Sequence, residues 1–592
     1  MFGGSLCLLR VSLASSTRSM MDYKEAVKLL NMMQKPGGKG GEPCSQHAPE
    51  KVRQMGTDLE KLGIKVSDLE TLNVIHVSGT KGKGSTCAFV ESMLRHHGFR
   101  TGLYSSPHLI SVTERIRLDG DPLPRQRFVQ YFHHTRDLLQ ARDRHLGYFH
   151  FLTLMAFYIF LEEKVDVAIM EVGIGGAYDC TNVLRKPLVC GVASLGMDHT
   201  AMLGSTLPEI AWQKAGIFKP GIPAFTVKQT PAALAVLQQR AFEIGCPLFL
   251  CPNLSDFTVN RSMDKEVNEI GDGVTLSLKG EHQRDNAALA LCLVNLWLHD
   301  RGHAVTTSSF SQSSSNDLTP ARPFCLTPAM HKGLACTRWL GRAQVVPFGH
   351  LTFYLDGAHT RESLQACLSW FDVEQQRLPC RGISPQRVLL FNITGQRDAQ
   401  SLLSLLQAYT FDFAIFCPNI SSQNQSQDQN NLQVTPSAMI KACWECKVLW
   451  DRLEKESPSL YSRLHKPSSV PAPSLVFPNI SDSLDWLKMW TRVMQRDGQD
   501  RKREENGAIK GGYVEDIEEM RNGRKKAEIH DGINRCFDEG FVGLRRKETA
   551  HRGEGKRQTM EEDEQEREVL VLVTGSLHLV GCTLKVLLSN VD

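Results

Sequence analysis

The chain has 592 residues and a formal net charge of +3, with 41% of its residues hydrophobic and 22% charged. This length accommodates two to four domains that each bury a core. The near balance of charge argues against a nucleic-acid partner, and no run reaches the roughly 18 apolar residues of a membrane helix. We therefore expect a globular monomer whose association with membranes is at most peripheral.

The 17 cysteines are scattered, and many stand within apolar runs. This pattern is typical of small core residues in a reducing compartment and not of a disulfide framework. Cys443 and Cys446 form a single CxxC pair. Because no second pair accompanies it, it is only a weak indication of zinc.

The first 21 residues contain Arg10 and Arg18 and no acidic residue. This composition resembles a mitochondrial presequence, although a merely disordered terminus is the alternative. Met20 and Met21 offer a second start. We expect a mitochondrial form (matrix or inner membrane) that starts at Met1 and a cytosolic form that starts at Met20 or Met21.

A glycine-rich stretch at residues 79–85 reads Gly-Thr-Lys-Gly-Lys-Gly-Ser. An apolar run precedes it and apolar residues at helical spacing follow it, which predicts strand, turn and helix, the context of a phosphate-binding loop. Lys83 can reach a terminal phosphate, and Ser85 or Thr86 offers a hydroxyl. Gly84 stands where the common form of this loop has Ser or Thr. The alternative is a glycine-rich turn that binds nothing.

Strands and helices then alternate along the chain, which predicts a mainly parallel sheet. Short apolar strands are predicted near residues 102–104, 165–170, 188–195, 223–227 and 247–250, and helices over 149–161, 208–219 and 283–298. We predict a first domain at 22–304 and a Ser-, Thr- and Pro-rich linker at 305–330.

A second alternating unit is predicted at 331–592, with strands at 351–355, 388–391, 413–416 and 569–573. Two segments, 419–473 and 497–568, are polar or densely charged with few aliphatic residues, and we predict that they are largely disordered insertions. The charged segment also leaves open a nucleic-acid contact, but its interleaved acids favour a solvated surface.

Polar residues follow several predicted strands, and such positions meet at one edge of a parallel sheet. Ser106, Glu171 and His199 occupy such positions in the first unit, and Asp356 does so in the second. A carboxylate and a hydroxyl beside nucleotide phosphates suit Mg²⁺, for which a histidine ligand is less usual. Taken alone, Glu171 is as well explained as a helix cap and His199 as a buried histidine.

Eight sequence blocks together resemble the folylpolyglutamate synthases, within the wider Mur ligase superfamily. They occur in the order of that family, from residue 79 to residue 581. The blocks cover residues 79–85, 105–108, 171–182, 198–200, 213–219, 341–342, 356–359 and 574–581.

The resemblance implies an α/β fold, with a P-loop-type, mainly parallel sheet domain and a smaller Rossmann-like C-terminal domain. It implies an ATP-dependent ligase that adds L-glutamate to the γ-carboxyl of the terminal glutamate of a tetrahydrofolate or its polyglutamates. In this family the γ-carboxylate attacks ATP to give an acyl phosphate, which the amine of glutamate then displaces. Such an enzyme serves folate retention and one-carbon metabolism.

The resemblance also implies roles for individual residues. ATP contacts are expected from Gly82, Lys83, Gly84, Ser85, Asn286, Arg342 and Asp356, and Mg²⁺ ligands from Ser106, Glu171 and His199. Lys214 matches a lysine that is carbamylated in this family, with a plain surface lysine as the alternative, and His359 matches a residue that helps to position phosphate or glutamate. A monovalent cation such as K⁺ is a further candidate cofactor.

Three other functions remain open from the sequence. A dihydrofolate synthase that joins glutamate to dihydropteroate uses related motifs. A nucleotide-binding module without catalysis is the second, and the intact set of charged site residues argues against it. A nucleic-acid protein that acts through the charged insertion is the third, but no recognition motif supports it. The motifs leave the residues that contact the pterin undefined, with the loops near 104–115 and 173–182 as candidates.

Overall fold

The computed structural model describes residues 22–34, 48–139, 146–259, 273–303, 318–378, 385–395, 397–409, 411–422, 434–456, 474–505 and 568–589. The predicted presequence at 1–21 lies outside the described residues. Among those that are described, no helix has the length and apolar character needed to cross a membrane.

Seventeen short strands alternate with helices along these residues. The strands are β1 (Ile75–Ser78), β2 (Thr101–Tyr104), β3 (Ile116–Leu118), β4 (Asp121–Pro122), β5 (Val167–Glu171), β6 (Val189–Val192), β7 (Ala224–Thr226), β8 (Leu248–Leu250), β9 (Thr258–Val259), β10 (Thr319–Pro320), β11 (Cys325–Leu326), β12 (Gln344–Phe348), β13 (Leu351–Leu355), β14 (Gln386–Phe391), β15 (Phe413–Phe416), β16 (Ser474–Val476) and β17 (Val569–Thr574).

Most strands lead into a helix, as the alternating pattern predicts. The α-helices are α1 (Tyr23–Met32), α2 (Ala48–Lys61), α3 (Lys83–His96), α4 (Arg125–Leu138), α5 (Tyr148–Glu162), α6 (Thr200–Leu203), α7 (Leu207–Ala215), α8 (Pro231–Ile244), α9 (His282–Asp300), α10 (Pro328–Cys336), α11 (Arg361–Gln376), α12 (Ala399–Ala408), α13 (Pro436–Glu456), α14 (Ile480–Glu505) and α15 (Leu577–Ser589).

The first unit is built on a nine-stranded sheet in the order β10-β8-β7-β6-β1-β5-β2-β3-β4. The pairs from β10 to β2 are parallel, and β3 and β4 add an antiparallel edge. Central strand β1 is entirely buried and pairs with β5 on one side and β6 on the other. This is where the direction of winding changes, the usual position of a ligand crevice in open parallel sheets.

Helix α3 fixes the position of the glycine-rich loop because it is packed on several sides. It lies on the sheet and contacts α9 and α10, and residues 85–94 are all buried. Burying a Phe, Leu or Met side chain stabilises a fold by about 1.5–3 kcal/mol. The core around Phe89 and Met93 therefore anchors the start of α3, where the site lies.

The second unit has a six-stranded sheet in the order β12-β13-β17-β14-β15-β16, parallel except for the pair β12–β13. Its strand β17 comes from the end of the chain and lies at the centre of the sheet, with all six residues buried. The prediction of a mixed α/β protein with a large, mainly parallel sheet and a second, smaller sheet is confirmed.

The predicted linker at 305–330, with a second domain from residue 331, is wrong in part. Strand β10 pairs with β8, β11 pairs with β9, and α10 packs on α3. Gly333 allows that close packing, because a Cβ there would lie 2.6 Å from Cα of Met93. The first unit therefore continues to Cys336. Residues 304–317 lie outside the described part of the chain.

The two predicted insertions also contain ordered helices. Helix α13 falls within 419–473, and its residues Cys443, Cys446 and Trp450 are buried in the core of the second unit. Their spacing of three and four residues makes one apolar face, which the polar composition of the segment conceals. The two thiols are thus core residues. Helix α14 extends to Glu505, and the rest of 497–568, up to residue 567, lies outside the described residues.

Candidate active site

The carboxyl ends of the strands carry the site residues. In the first unit, the glycine-rich loop follows β1, Ser106 follows β2, Glu171 ends β5 and His199 lies beyond β6. In the second unit, Asp356 follows β13. Side chains from the two units meet, so these edges line one cleft.

The glycine-rich loop has a backbone that requires glycine at two positions. Gly79 and Gly82 have φ of 144° and 84°. A Cβ at Gly82 would lie only 2.0 Å from Oδ1 of Asn286, so α9 approaches the loop as closely as glycine permits. Helix α3 begins at Lys83, and the amides of its first turn have no intrahelical acceptor. This end of the helix therefore offers N–H donors and a partial positive charge to an anion.

Two lysines converge on the same loop. Nζ of Lys83 donates to the carbonyl oxygen of Gly79 at 3.1 Å, and Nζ of Lys214, from α7, donates to that oxygen at 2.8 Å. Lys214 is 3% exposed. Burial, followed by the charge of Lys83, lowers the pKa of Lys214 well below its usual value. The cleft therefore contains a buried amine that gives up its proton more readily than an exposed lysine does.

The predicted metal ligands are only partly brought together. Glu171 is 4% exposed, and its Oε2 accepts a hydrogen bond from the Ser106 amide at 3.0 Å. Burial raises the pKa of Glu171, while the charge of Lys83 acts to lower it. His199 lies at φ 53° just before α6. Burial is the main cause that lowers the pKa of His199, and the charge of Lys83 also lowers it. Among the described residues, no three His, Cys, Asp or Glu side chains are placed to hold a metal.

Lys81, Asp198 and His359 meet where the two units come together. Nζ of Lys81 lies 2.9 Å from Oδ2 of Asp198 and 2.8 Å from Nε2 of His359, and His359 also lies 3.5 Å from Asp198. Nδ1 of His359 lies 2.8 Å from the carbonyl oxygen of Gly357. Because Nδ1 can only donate to that oxygen, Nε2 is the acceptor for Lys81. Burial lowers the pKa of His359, although the contact with Asp198 opposes this.

Arg342 and Asp356 belong to one short structure in the second unit. Oδ2 of Asp356 accepts the amide of Ala343, which has φ of 44°, at 2.8 Å. Burial has the largest effect on the pKa of His282, at the start of α9, and lowers it. The charge of Asp356 raises this pKa, and the charge of Arg342 lowers it. The Arg342–Asp356 structure therefore lies within electrostatic reach of the start of α9 in the first unit.

Close packing against Trp339 explains why residue 84 is glycine, which the sequence alone does not reveal. A Cβ at Gly84 would lie 3.1 Å from Cζ2 of Trp339, a residue of the segment that joins the two units. The guanidinium of Arg117 lies 4.9 Å from the centroid of the Trp339 ring. Ser85 is engaged elsewhere, since its Oγ accepts a hydrogen bond from Gln283 at 3.4 Å.

Sequence reasoning missed several charged residues of the cleft. Lys81, Asp198, Arg397 and His578 were given no role, although the first, second and fourth lie in recognised motifs and Arg397 follows strand β14. Burial is the main cause that lowers the pKa of His578 to about 4. The charge of Arg397 also lowers the pKa of both His578 and His359. The position of Arg397 just after an apolar strand was the available signal.

Comparison with known proteins identifies the family. No family model matches the chain. A curated relative from Bos taurus, the mitochondrial folylpolyglutamate synthase, is 46% identical over 502 residues, which cover 79% of this chain and 83% of the relative. The chain belongs to the folylpolyglutamate synthase family. The resemblance noted in the eight sequence blocks is thereby confirmed.

Solved structures of folylpolyglutamate synthases support the fold. One described as an FPGS-AMPPCP-folate complex is 25% identical, with a TM-score of 0.53, and the match covers 69% of this chain and 92% of that one. A Mycobacterium tuberculosis folylpolyglutamate synthase complexed with ADP is 20% identical, with a TM-score of 0.59, over 96% of this chain and 99% of that one. The second match is informative about the fold alone.

Proposed function

We propose that this cleft joins L-glutamate to the γ-carboxyl of the terminal glutamate of a tetrahydrofolate, with ATP converted to ADP and phosphate. The observation that carries the proposal is the single cleft that the phosphate-binding loop of the first unit shares with His359 of the second. Family membership supports it, as does the neighbouring structure described as containing both AMPPCP and folate.

ATP binds with its phosphates at the start of α3. Lys83 and the amides of Lys83, Gly84 and Ser85 face the β- and γ-phosphates, and the end of the helix adds its positive charge. Asn286 and the Arg342–Asp356 structure contact the rest of the nucleotide from opposite walls. Positioning and neutralisation of charge, more than covalent chemistry by the protein, accelerate phosphoryl transfer.

The donor set fits a hard divalent cation. Glu171 is a buried carboxylate that, among the described residues, accepts a side-chain hydrogen bond only from the Ser106 amide, so its remaining lone pairs are available, and Mg²⁺ prefers oxygen ligands. Glu171, the Ser106 hydroxyl and His199 would hold Mg²⁺, which when bound neutralises phosphate charge. K⁺ is a further candidate at the same cleft.

The reaction has two steps. The γ-carboxylate of the folate attacks the γ-phosphorus of ATP, a P–O bond forms, and the bond to ADP breaks. The neutral amine of L-glutamate then attacks the acyl carbonyl, an amide forms, phosphate leaves with its bonding electrons, and the nitrogen releases one proton and keeps the other. Lys81, held by Asp198 and neutral His359, presents positive charge to the phosphate or to a carboxylate of glutamate.

Lys214 is a candidate for carbamylation. A neutral amine can add to CO₂, which forms an N–C bond and releases one proton, and burial lowers the pKa of Lys214, which shifts its balance toward the neutral amine. The resulting carbamate would be an anion beside Lys83 and would offset that positive charge. A carbonyl signal after incubation with ¹³C-bicarbonate, absent in Lys214→Ala, is the expected result. Identical spectra from the two proteins would exclude the modification.

The remaining proposals concern the localisation and the oligomeric state of the protein. We place the protein in mitochondria, in line with the name of the Bos taurus relative, and in the cytosol through the second start. We also propose that it acts as a monomer. Size-exclusion chromatography with light scattering checks the second point, and a dimer would contradict it.

A product analysis tests the proposed function. The protein is incubated with ATP, Mg²⁺, labelled L-glutamate and either tetrahydrofolate or dihydropteroate. Labelled tetrahydrofolate diglutamate and longer products are expected from the first substrate. Turnover of dihydropteroate alone would identify a dihydrofolate synthase instead, and no turnover of either would indicate a binding module.

A further inference from the structure

A second cavity lies beside the cleft and has no role in the reaction described above. Its volume is about 360 Å³, and it is bounded by α3, β3 and the segment after α10. We name it the Arg117 cavity, after a residue that it shares with the cleft at Ser106 and Glu171; Trp339 also borders both spaces. A molecule that reacts in the cleft therefore has a neighbouring space into which it can extend.

Arg117 is placed to bind an anion. Its Nε and Nη1 donate to the carbonyl oxygens of Glu114 and Gly120, each at 3.3 Å, and its guanidinium packs on the Trp339 ring. Within the described residues, none of its hydrogen bonds goes to a carboxylate. Burial lowers the pKa of Arg117, although the charges of Glu114, Glu91 and Asp121 oppose this. The charged guanidinium is thus held rigidly and keeps donor capacity for a ligand.

Two of the cavity's acids already have partners. Glu91 accepts hydrogen bonds from Nε of Arg95 at 2.9 Å and from the Thr101 hydroxyl at 2.8 Å. Asp119 accepts the Thr101 amide at 2.8 Å, and Asp121 is exposed at the edge. Arg338 is exposed, and the structure gives it no hydrogen bond or ion pair with a described residue.

We propose that the Arg117 cavity binds the α-carboxylates of the γ-linked glutamate tail of the folate, an inference that rests on the proposed function. Each added glutamate leaves one α-carboxylate on the chain, and guanidinium groups bind carboxylates through two parallel hydrogen bonds. Arg117 and Arg338 supply these groups, and the ring of Trp339 supplies an apolar wall between them and the cleft. The cavity thereby favours substrates that already carry a tail.

Kinetics on substrates of two lengths test this proposal. The kcat/KM for tetrahydrofolate triglutamate is divided by that for the monoglutamate. Arg338→Gln should lower this ratio about tenfold, the effect of losing one charged hydrogen bond. Arg322→Gln, an exposed arginine just before α10, is the matched control and should leave the ratio unchanged. An equal loss on both substrates, or a raised KM for free L-glutamate alone, would overturn the proposal.

A binding measurement separates this proposal from the proposed function. Penta-γ-L-glutamate is titrated calorimetrically into the wild-type protein and into Arg338→Gln, with free L-glutamate as the comparison ligand. Tighter binding of the pentamer than of the monomer, reduced about tenfold in the variant, is expected. Equal affinities for pentamer and monomer would overturn the tail site. If the wild-type protein does not lengthen the monoglutamate at all, the proposed function fails, whatever the titration shows.

Discussion

The half of the cleft in the first unit and the half in the second differ in what holds their functional groups. In the first, the glycine-rich loop and Glu171 stand at the ends of adjacent buried strands, and α9 restrains the loop at Gly82. In the second, Arg342 and Asp356 are tied mainly to their own short structure, through the Ala343 amide. The first half is therefore preorganised, whereas the second acts where the two units meet.

This difference assigns different tasks to the two halves. A preorganised anion site can bind nucleotide phosphates without help from the second unit. The contacts from Lys81 and Asp198 to His359 join the two units at the cleft, and in the proposed function they would restrict the access of water to the acyl phosphate. Variants in each half should therefore fail in different ways.

Removal of the charge in the preorganised half should have the largest effect. Lys83→Ala is expected to lower kcat about 1,000-fold, because a positioned charge at the transferring phosphoryl group is lost. ATP binding, measured by calorimetry, should weaken as well. Lys332→Ala, an exposed lysine of α10, is the control and should behave as wild type. Wild-type turnover by Lys83→Ala would refute the phosphate-site assignment.

Removal of the contact between the units should have a smaller and more selective effect. His359→Ala is expected to lower kcat about 100-fold and leave the affinity for ATP within about twofold, since Lys81 then lacks its acceptor across the cleft. Lys81→Met should act on the same contact. The double variant should therefore lose little more than the worse single variant. Fully multiplicative losses would show that the two residues act independently.

The contact of Gly84 with Trp339 tests how the connecting segment bears on the preorganised half. Gly84→Ala should lower kcat/KM for ATP about tenfold, because the new methyl group presses on the indole ring and overpacking costs about 1–3 kcal/mol. Trp339→Leu in the same chain should restore part of the loss. If the double variant is no better than Gly84→Ala, the ring is not the cause.

Acid should destabilise the first unit through a buried histidine behind the site. Burial and the charge of Lys219 lower the pKa of His76 to about 3, from 6.5 in an unfolded chain. Between these two pH values the imidazole of His76 is protonated in the unfolded state and neutral in the folded state. Its contribution to the free energy of unfolding is therefore complete above about pH 6.5 and is lost as the pH falls. His76→Gln should flatten the dependence of Tm on pH in that range. The exposed-residue control His303→Gln should keep the wild-type dependence, and a flattened profile in the control would contradict the assignment.

The sequence was sufficient for features that are local along the chain. A buried apolar run followed by Glu171 predicts a carboxylate at a strand end, and a glycine-rich turn before helical spacing predicts the phosphate loop. Features that depend on distant residues could not be predicted. The approach of Asn286 to Gly82 and the position of Trp339 against Gly84 join segments about 200 residues apart or more.

The predicted domain boundary was wrong for a similar reason. A Ser- and Pro-rich composition suggested a linker, but two residues are enough for β10 to join the nine-stranded sheet and for β11 to pair with β9. Their stability comes from the strands they pair with and not from their own sequence. Helix α13 was not predicted because its buried face consists of only four side chains within a polar segment.

Transfer of an oxygen atom tests the central claim most directly. Tetrahydrofolate labelled with ¹⁸O in the γ-carboxyl group is incubated with ATP, Mg²⁺, L-glutamate and the protein, and the inorganic phosphate is analysed by mass spectrometry. If the carboxylate attacks the γ-phosphate, the phosphate released in the first addition to each folate carries one ¹⁸O, and later additions release unlabelled phosphate. Formation of the diglutamate without any ¹⁸O in the phosphate would show that no acyl phosphate forms in this cleft.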